Sequence, residues 1–179
     1  MLATATHLRA VPTAENKLES LFRQHYDQIF RTAYRVTGHA NDAEDVLQTV
    51  FLRLARRKND LELAPNPKAY LLRAAINASL DIVRARTLNN LVPIDEVAPD
   101  NFATNRNPET QHAEGELRAL IQGEIAKLSP NSAEMFALKY FEGYDNKEIA
   151  KMLGTSHLVV GVLLHRARAQ MKKRIESAL

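Results

Sequence analysis

The chain of 179 residues contains no cysteine. A protein without cysteine has no disulfide, no thiolate zinc site and no cysteine nucleophile, and its composition suits a reducing cytoplasm. The sequence also lacks any run of about 18 uncharged apolar residues, so we expect no membrane insertion. Residues 1–13 have no continuous apolar segment of the kind found in signal peptides, and we expect them to be the flexible tail of a cytoplasmic protein.

Glycine and proline are few, at 6 and 7 residues, and they lie mainly between segments with helical periodicity. No stretch alternates polar and apolar residues for long enough to predict a sheet. The hydrophobic share of 45% is sufficient for packed cores. These features predict an all-α fold, and the length allows one ordinary domain or two small helical ones.

Charge is unevenly distributed along the chain. Residues 87–116 hold six acidic residues and one basic residue, whereas residues 155–179 hold five basic residues and one acidic residue. A basic end suits a polyanionic partner, and an acidic middle segment would be repelled by one.

The first part of the chain predicts a body of three helices over residues 14–86. Apolar spacing predicts the first helix over residues 14–37. Asn41 and Glu44 have the spacing of a capping box, which predicts the start of the second helix. The Asn-Pro pair at residues 66–67 predicts the start of the third.

A second helical body is predicted over residues 108–179, after an aperiodic acidic linker at residues 87–107. Its helices are expected to begin near Pro108 and at the Ser-Pro pair of residues 129–130. In the latter helix the apolar spacing places three residues inward: Phe136, Ala137 and Tyr140.

The segment from Asp145 to Arg168 has the layout of a helix-turn-helix. Asp145 and Glu148 predict a capped first helix, Gly154 predicts its left-handed end, and Thr155 or Ser156 can cap a second helix. Two helices joined by about three or four residues including glycine present the second helix to the major groove of DNA. Four residues give that second helix a buried face: Val160, Leu164, Ala167 and Met171.

Three segments together resemble the extracytoplasmic-function (ECF) group of bacterial RNA polymerase sigma factors, which are two-domain members of the sigma-70 family. They are DAEDVLQTVF from residue 42, NPKAYLLRAAINASLDIVRAR from residue 66, and residues 128–168, which include HRAR. The similarity covers roughly residues 18–174. It implies a sigma region 2-like three-helix body for core polymerase and the −10 element, and a region 4-like helix-turn-helix body for the −35 element.

The resemblance implies that the second helix docks on core polymerase. Its candidate contacts are Asp42, Asp45, Val46, Gln48, Thr49 and Leu52. The family usually has an acid where Thr49 stands. Without the resemblance, the same residues describe a solvated, well-capped helix start.

The resemblance also implies −10 contacts from the third helix and from the loop of residues 58–64, which would hold a flipped base. The candidates are Lys58, Asn59, Lys68, Tyr70, Arg73, Asn77, Asp81 and Arg84, with Arg86 as a further phosphate contact. Lysine and arginine would neutralise phosphates, whereas Asn77 and Asp81 would face an unpaired base. Single-strand binding usually uses an aromatic platform or a pocket, but a tyrosine such as Tyr70 is more often simply a core residue.

The −35 candidates are Lys139, Lys147, Thr155, Ser156, His157, Leu158, Val159, Gly161, Val162, His165, Arg166 and Arg168. The family commonly has basic residues at the positions of Gly161 and Leu163. Arginine paired with guanine contributes about 1–3 kcal/mol of discrimination, so their absence predicts recognition through thymine methyl groups, DNA shape and phosphates. Glycine at position 161 costs the helix about 1 kcal/mol relative to alanine, which suggests close approach to DNA or to another helix.

The leading hypothesis is therefore a promoter-specificity subunit without catalysis, metal or cofactor. Its expected partners are core RNA polymerase, at the clamp and flap regions, and double- and single-stranded promoter DNA, not a small molecule. The resemblance implies that the acidic linker threads the polymerase channel; the alternative is a solvated spacer. The sequence leaves open whether an anti-sigma factor exists, and the exposed faces are where one would bind. Two alternatives remain: an autonomous helix-turn-helix regulator, and a sigma-like interaction protein with little DNA binding.

Overall fold

The computed structural model describes residues 14–56, 66–88 and 108–177, and these ranges form seven α-helices and no strand. The all-α prediction is confirmed. The helices are α1 (Ala14–Thr37), α2 (Ala40–Arg56), α3 (Pro67–Leu88), α4 (Pro108–Ala126), α5 (Pro130–Tyr140), α6 (Asn146–Leu153) and α7 (His157–Glu176). None of these helices is long and apolar enough to cross a lipid bilayer.

Local capping chemistry sets the start of several helices. The Asn66 side chain, directly ahead of the proline that begins α3, accepts a hydrogen bond from the backbone N–H of Ala69 at 3.0 Å. Ser129 Oγ accepts one from the N–H of Ser132 at 3.3 Å at the start of α5. Both starts agree with the sequence, because a polar cap followed by proline satisfies or removes amide groups that the helix leaves unpaired.

The start of α2 differs from the prediction. The helix begins at Ala40, and the backbone carbonyl of His39 already accepts from the N–H of Ala43 at 3.1 Å. Asn41 therefore lies inside the first turn and does not precede it as a cap.

The first three helices pack around a core of their own, which we call the N-terminal body (α1–α3). Its buried residues include Ile29, Val46, Leu54 and Leu71, all at most 1% exposed. The remaining helices form the C-terminal body (α4–α7), with Ile125, Leu138, Ile149 and Val160 at its centre. Tyr140 was predicted to face this core but is 44% exposed, because it lies in the last turn of the short helix α5.

Helix α3 is apolar on two faces, and each face belongs to a different core. Leu71 and Ala75 pack in the N-terminal body. Leu72, Ile76 and Leu80, none more than 1% exposed, pack into the same cluster as the core of the C-terminal body. The two bodies therefore contact one another through α3, with α4 and α5 lying against it.

Candidate functional site

The outer face of α2 carries most of the predicted polymerase contacts. Asp45, Gln48 and Leu52 are exposed, and Thr49 is half-buried. Leu52 is 56% exposed, whereas the other large apolar residues of α2 are buried against the core. This face offers one carboxylate, one amide and one apolar side chain within about two turns, a combination suited to a partner helix.

Two residues predicted for the same interface have other surroundings. Val46 has 0% exposure and packs in the core of the N-terminal body, so we correct its assignment: it cannot reach a partner while α2 remains packed. Asp42 forms an ion pair with Arg86 of α3, and both side chains are mostly buried. Asp42 is thus partly committed to holding α2 against α3.

The predicted −10 residues have different surroundings: some are exposed to solvent, one packs against the core of the N-terminal body, and others contact the C-terminal body. Lys58 and Asn59, with the rest of the loop of residues 58–64, lie outside the described residues. Lys68 is exposed at the start of α3, whereas Tyr70 is half-buried and packs against the core of the N-terminal body. Asp81 and Arg84 pair with each other at 3.4 Å.

Arg73 and Asn77 contact the C-terminal body. The Nε of Arg73 donates to Glu134 Oε1 at 2.8 Å, and its Nη1 donates to the backbone carbonyl of Met152 at 3.1 Å. The amide nitrogen of Asn77 donates to the same Glu134 oxygen at 3.2 Å. Two side chains predicted to meet DNA are therefore paired within the protein.

The helix-turn-helix is formed as the sequence predicts. Asp145 Oδ1 accepts from the N–H groups of Lys147 and Glu148, each at 2.8 Å, and Glu148 Oε2 accepts from the N–H of Asp145 at 2.8 Å. These backbone hydrogen bonds favour the charged carboxylate and lower the pKa of Asp145. Gly154 ends α6 with φ of 64°, and Ser156 caps α7 by accepting from the N–H of Val159 at 3.3 Å.

Helix α7 presents an apolar outer face at its N-terminal end. Leu158, Val159 and Val162 are 69%, 44% and 50% exposed, while Val160 and Leu164 are buried. Leu163, at a position where the family commonly has a basic residue, is half-buried and packs against the core of the C-terminal body. The outward face is thus defined by Val162, not by Leu163.

Polar and basic residues surround this apolar face. Ser156, His157, His165, Arg166 and Arg168 on or beside α7 are exposed, as is Lys147 on α6. Lys139 and Thr155 are half-buried. Cationic side chains around a short apolar patch suit a DNA duplex, because phosphates flank the base edges and thymine methyl groups of the major groove.

Gly161 lies on α7, and the packing of α7 against α6 does not require a glycine at this position. A Cβ at this position would meet only the Asn146 amide nitrogen, at 3.7 Å. That is an ordinary van der Waals distance, so helix packing does not demand glycine here.

Comparison with known proteins agrees with this geometry. Residues 21–88 match the family Sigma-70 region 2, and residues 118–171 match Sigma-70, region 4. The chain is 32% identical over 161 residues to the RNA polymerase sigma-E factor of Streptomyces avermitilis, covering 90% of this chain and 86% of that protein. The chain belongs to the sigma-70 family, in its ECF group.

A second relative supports the assignment of the chain to the ECF group, and one solved structure shows the same fold. The chain is 31% identical over 154 residues to the ECF RNA polymerase sigma factor SigE of Mycolicibacterium smegmatis, covering 86% of this chain and 60% of that longer protein. The structure of CnrH in complex with the cytosolic domain of CnrY has the same fold, with a TM-score of 0.56, 21% identity and coverage of 89% and 88% of the two chains. The sequence-based identification as a sigma factor, a class of initiation factors and not of enzymes, is confirmed.

Two residues of this sigma factor with clear structural roles were missed by sequence reasoning. Glu134 is 6% exposed and holds Arg73 and Asn77. Glu142 lies between the bodies, with its Oε1 at 3.1 Å from Arg35 Nη1 and 3.0 Å from the Thr32 hydroxyl. The role of Glu134 could have been predicted from the sequence, because an acid within the apolar segment AEMFAL requires a buried partner. In the ranges that the structure covers, no group of three or more potential metal ligands is assembled.

Proposed function

We propose that the protein binds core RNA polymerase and directs it to promoters with a −10 and a −35 element. The observation that carries this proposal is the presence, in one chain, of a region 2 match with an exposed α2 face and a region 4 match with an exposed recognition helix. An autonomous regulator would use the second feature but would leave the α2 face without a partner.

The polymerase contact is proposed to centre on Asp45, Gln48 and Leu52. Their exposure makes them available, and Leu52 would lose water-accessible apolar surface on binding. Rim charges such as Asp45 would steer association and fix the register of the two partner helices. The clamp is the proposed site for α2, and the flap is the proposed site for the C-terminal body.

The −35 contact is proposed to use the outward face of α7. Leu158, Val159 and Val162 would contact thymine methyl groups, while Arg166 and Arg168 would bind phosphates. Such a helix gains little from bidentate guanine contacts and binds weakly alone. Attachment to polymerase compensates, because a second contact within one complex raises the effective concentration of the first.

Two further contacts follow from the same proposal. The acidic segment of residues 87–107 would occupy a basic polymerase channel, since its charge disfavours DNA. Shortening residues 95–100 should then alter initiation or promoter escape, and unchanged kinetics would refute the channel contact. An anti-sigma factor would bind the exposed faces of α2 and α7.

The apolar face of α7 also favours a second candidate function, a sigma-like interaction protein that occupies polymerase and hardly binds DNA. Reconstitution with purified core polymerase and promoter templates separates the two. Transcripts from defined start sites that require the protein support the sigma function. Tight core binding without any protein-dependent transcript supports the interaction protein, and absence of core binding refutes both.

A further inference from the structure

Helix α7 has no side chain at Gly161, and the space beside this residue opens onto the start of α6. Apart from the backbone of α7, a Cβ at this position would have one neighbour within 4 Å, the amide nitrogen of Asn146 at 3.7 Å. Both residues are partly exposed to solvent. A long side chain at position 161 would begin beside this amide and cover it. Glycine therefore leaves the Asn146 amide accessible from the surface of α7.

The Asn146 side chain has no part in capping α6. Asn146 is the first residue of that helix, and the Asp145 carboxylate accepts from the N–H groups of Lys147 and Glu148 at 2.8 Å each. Within the part of the chain that the structure describes, no hydrogen bond engages the Asn146 side chain. Its amide nitrogen carries two N–H donors. The donor that the opening at Gly161 exposes is therefore a side chain, because the cap already uses the backbone groups that follow it.

Gly161 lies on one flank of the outward face of α7. Helical spacing places it on the same side as Leu158, His165 and Arg168, which are all exposed. Arg168 lies about 10 Å further along the helix axis and supplies a cation. Phosphates flank the base edges of the major groove, so a duplex docked on Val162 would bring one strand of its backbone to this side.

The charges around the start of α6 suit a neutral donor. The backbone N–H of Glu148 lowers the pKa of Asp145 most, and the ammonium groups of Lys139 and Lys147 lower it further. Two ammonium groups therefore lie near the carboxylates of Asp145 and Glu148, each of which is bonded to backbone N–H groups. A phosphate at this place would meet nearly balanced charges. A hydrogen bond from an uncharged amide would hold it without the release of a counterion.

We propose that Asn146 is a further DNA-positioning residue, whose amide donates to a phosphate oxygen of the −35 duplex through the opening at Gly161. A neutral amide on α6 takes the place of the basic side chain that the family commonly has at position 161. The proposal rests on the proposed function, because it places the −35 duplex on the outward face of α7. Its consequence is one DNA contact whose strength does not depend on salt.

Duplex binding by the full-length protein tests this contact. Fluorescence anisotropy is measured with two duplexes of unrelated sequence, each of about 20 base pairs, because a phosphate contact does not depend on sequence. Asn146→Ala should bind both duplexes about fivefold more weakly than wild type. The slope of log K against log salt should stay the same, since no charge is removed, whereas Arg168→Ala should reduce that slope by about 1.

Two further variants separate the contact from an effect on folding. Asn131→Ala, an exposed asparagine in the first turn of α5, is the matched control and should leave the affinity unchanged. Asn146→Asp should bind more weakly than Asn146→Ala, because its carboxylate repels the phosphate. An acid in the first turn of α6 favours the helix, so thermal unfolding of Asn146→Asp should show no loss of stability.

A double-variant cycle tests the opening at Gly161. Gly161→Ala should weaken duplex binding about twofold, because its methyl group partly covers the amide. The same substitution should have no effect when Asn146 is already alanine. Equal losses in the two backgrounds would show that Gly161 and Asn146 act independently, which would overturn the proposed opening.

The affinities of the Asn146 variants decide the proposal. Equal affinities of wild type and Asn146→Ala, or no duplex binding by the wild type, would overturn it. A loss with only one of the two duplexes would also overturn it, because such a loss indicates a base contact. Failure of promoter-dependent transcription together with the expected Asn146 effect would instead refute the proposed function and leave the phosphate contact intact.

Discussion

Asp42 at the start of α2 and Arg86 near the end of α3 form an ion pair. Arg86 also lies 3.5 Å from the carbonyl of Thr37, at the end of α1. The pair therefore joins the ends of all three helices of the N-terminal body. This arrangement gives Asp42 a structural task in addition to its predicted contact with polymerase.

Replacement of either residue of that pair should lower stability. Asp42→Ala and Arg86→Ala should each reduce the free energy of unfolding, and the double variant should reveal a coupling of about 1 kcal/mol because the pair is mostly buried. Urea denaturation of the four proteins measures it. A coupling of zero would mean that Asp42 is free to act wholly at the polymerase interface.

Two glycines of the helix-turn-helix should respond in opposite ways to alanine. Gly161→Ala should stabilise the protein by about 1 kcal/mol, because the position is helical and the new methyl group has room. Gly154→Ala should destabilise it by a similar amount, since φ of 64° disfavours an L side chain even where no atom lies within 4 Å. Thermal unfolding measures both.

The same variants separate stability from DNA recognition. If Gly161 allows close approach of DNA, Gly161→Ala should bind promoter DNA less tightly within the polymerase complex despite its greater stability. Equal promoter affinity together with greater stability would remove the reason proposed for this glycine.

A new positive charge on the outward face of α7 should strengthen DNA binding. Val162→Lys should bind promoter DNA more tightly at low salt, with a dependence of log K on log salt steeper by about 1, because one more phosphate is neutralised. The matched variant is Leu163→Lys, one residue along. It should cost about 1 to 3 kcal/mol of stability, since Leu163 packs against the core. Identical salt slopes for Val162→Lys and wild type would show that this face does not meet DNA.

His25 should make stability depend on pH. Burial, with a smaller effect of the Lys68 ammonium group, lowers the pKa of His25 below its ordinary value of 6.5. The unfolded chain therefore binds a proton at a higher pH than the folded protein does. The contribution of His25 is fully present above about pH 6.5 and is lost as the pH falls towards the lowered folded-state pKa.

Urea denaturation between pH 7.5 and pH 5 checks this expectation. His25→Gln should flatten the decrease in the free energy of unfolding over that range, and His157→Gln, an exposed histidine on α7, serves as the control. Parallel pH curves for wild type and His25→Gln would contradict the effect of burial.

The sequence predicted the features that depend on local chemistry. The caps at Asn66, Ser129, Asp145 and Ser156 need only neighbouring residues, and each is present in the structure. The buried face of α7 likewise follows from helical spacing alone. The error at Asn41 is also local: α2 begins at Ala40, one residue before the predicted cap.

The contact between the bodies could not be predicted in that way. Arg73 and Glu134 are 61 residues apart in the chain, and no spacing rule connects them. The sequence does indicate that α3 has a second partner. The helix has apolar residues on two faces, and the other helices of the N-terminal body can cover only one of these faces.

The central claim is that this sigma factor selects promoters through two separate contacts. Start-site sequencing of transcripts made by core RNA polymerase on fragmented genomic DNA, with and without the protein, tests it most directly. The account predicts start sites that require the protein and share two upstream sequence elements at constant spacing. It also predicts that Val162→Lys alters only the −35 element. Start sites that are the same with and without the protein, or that share a single element, would contradict it.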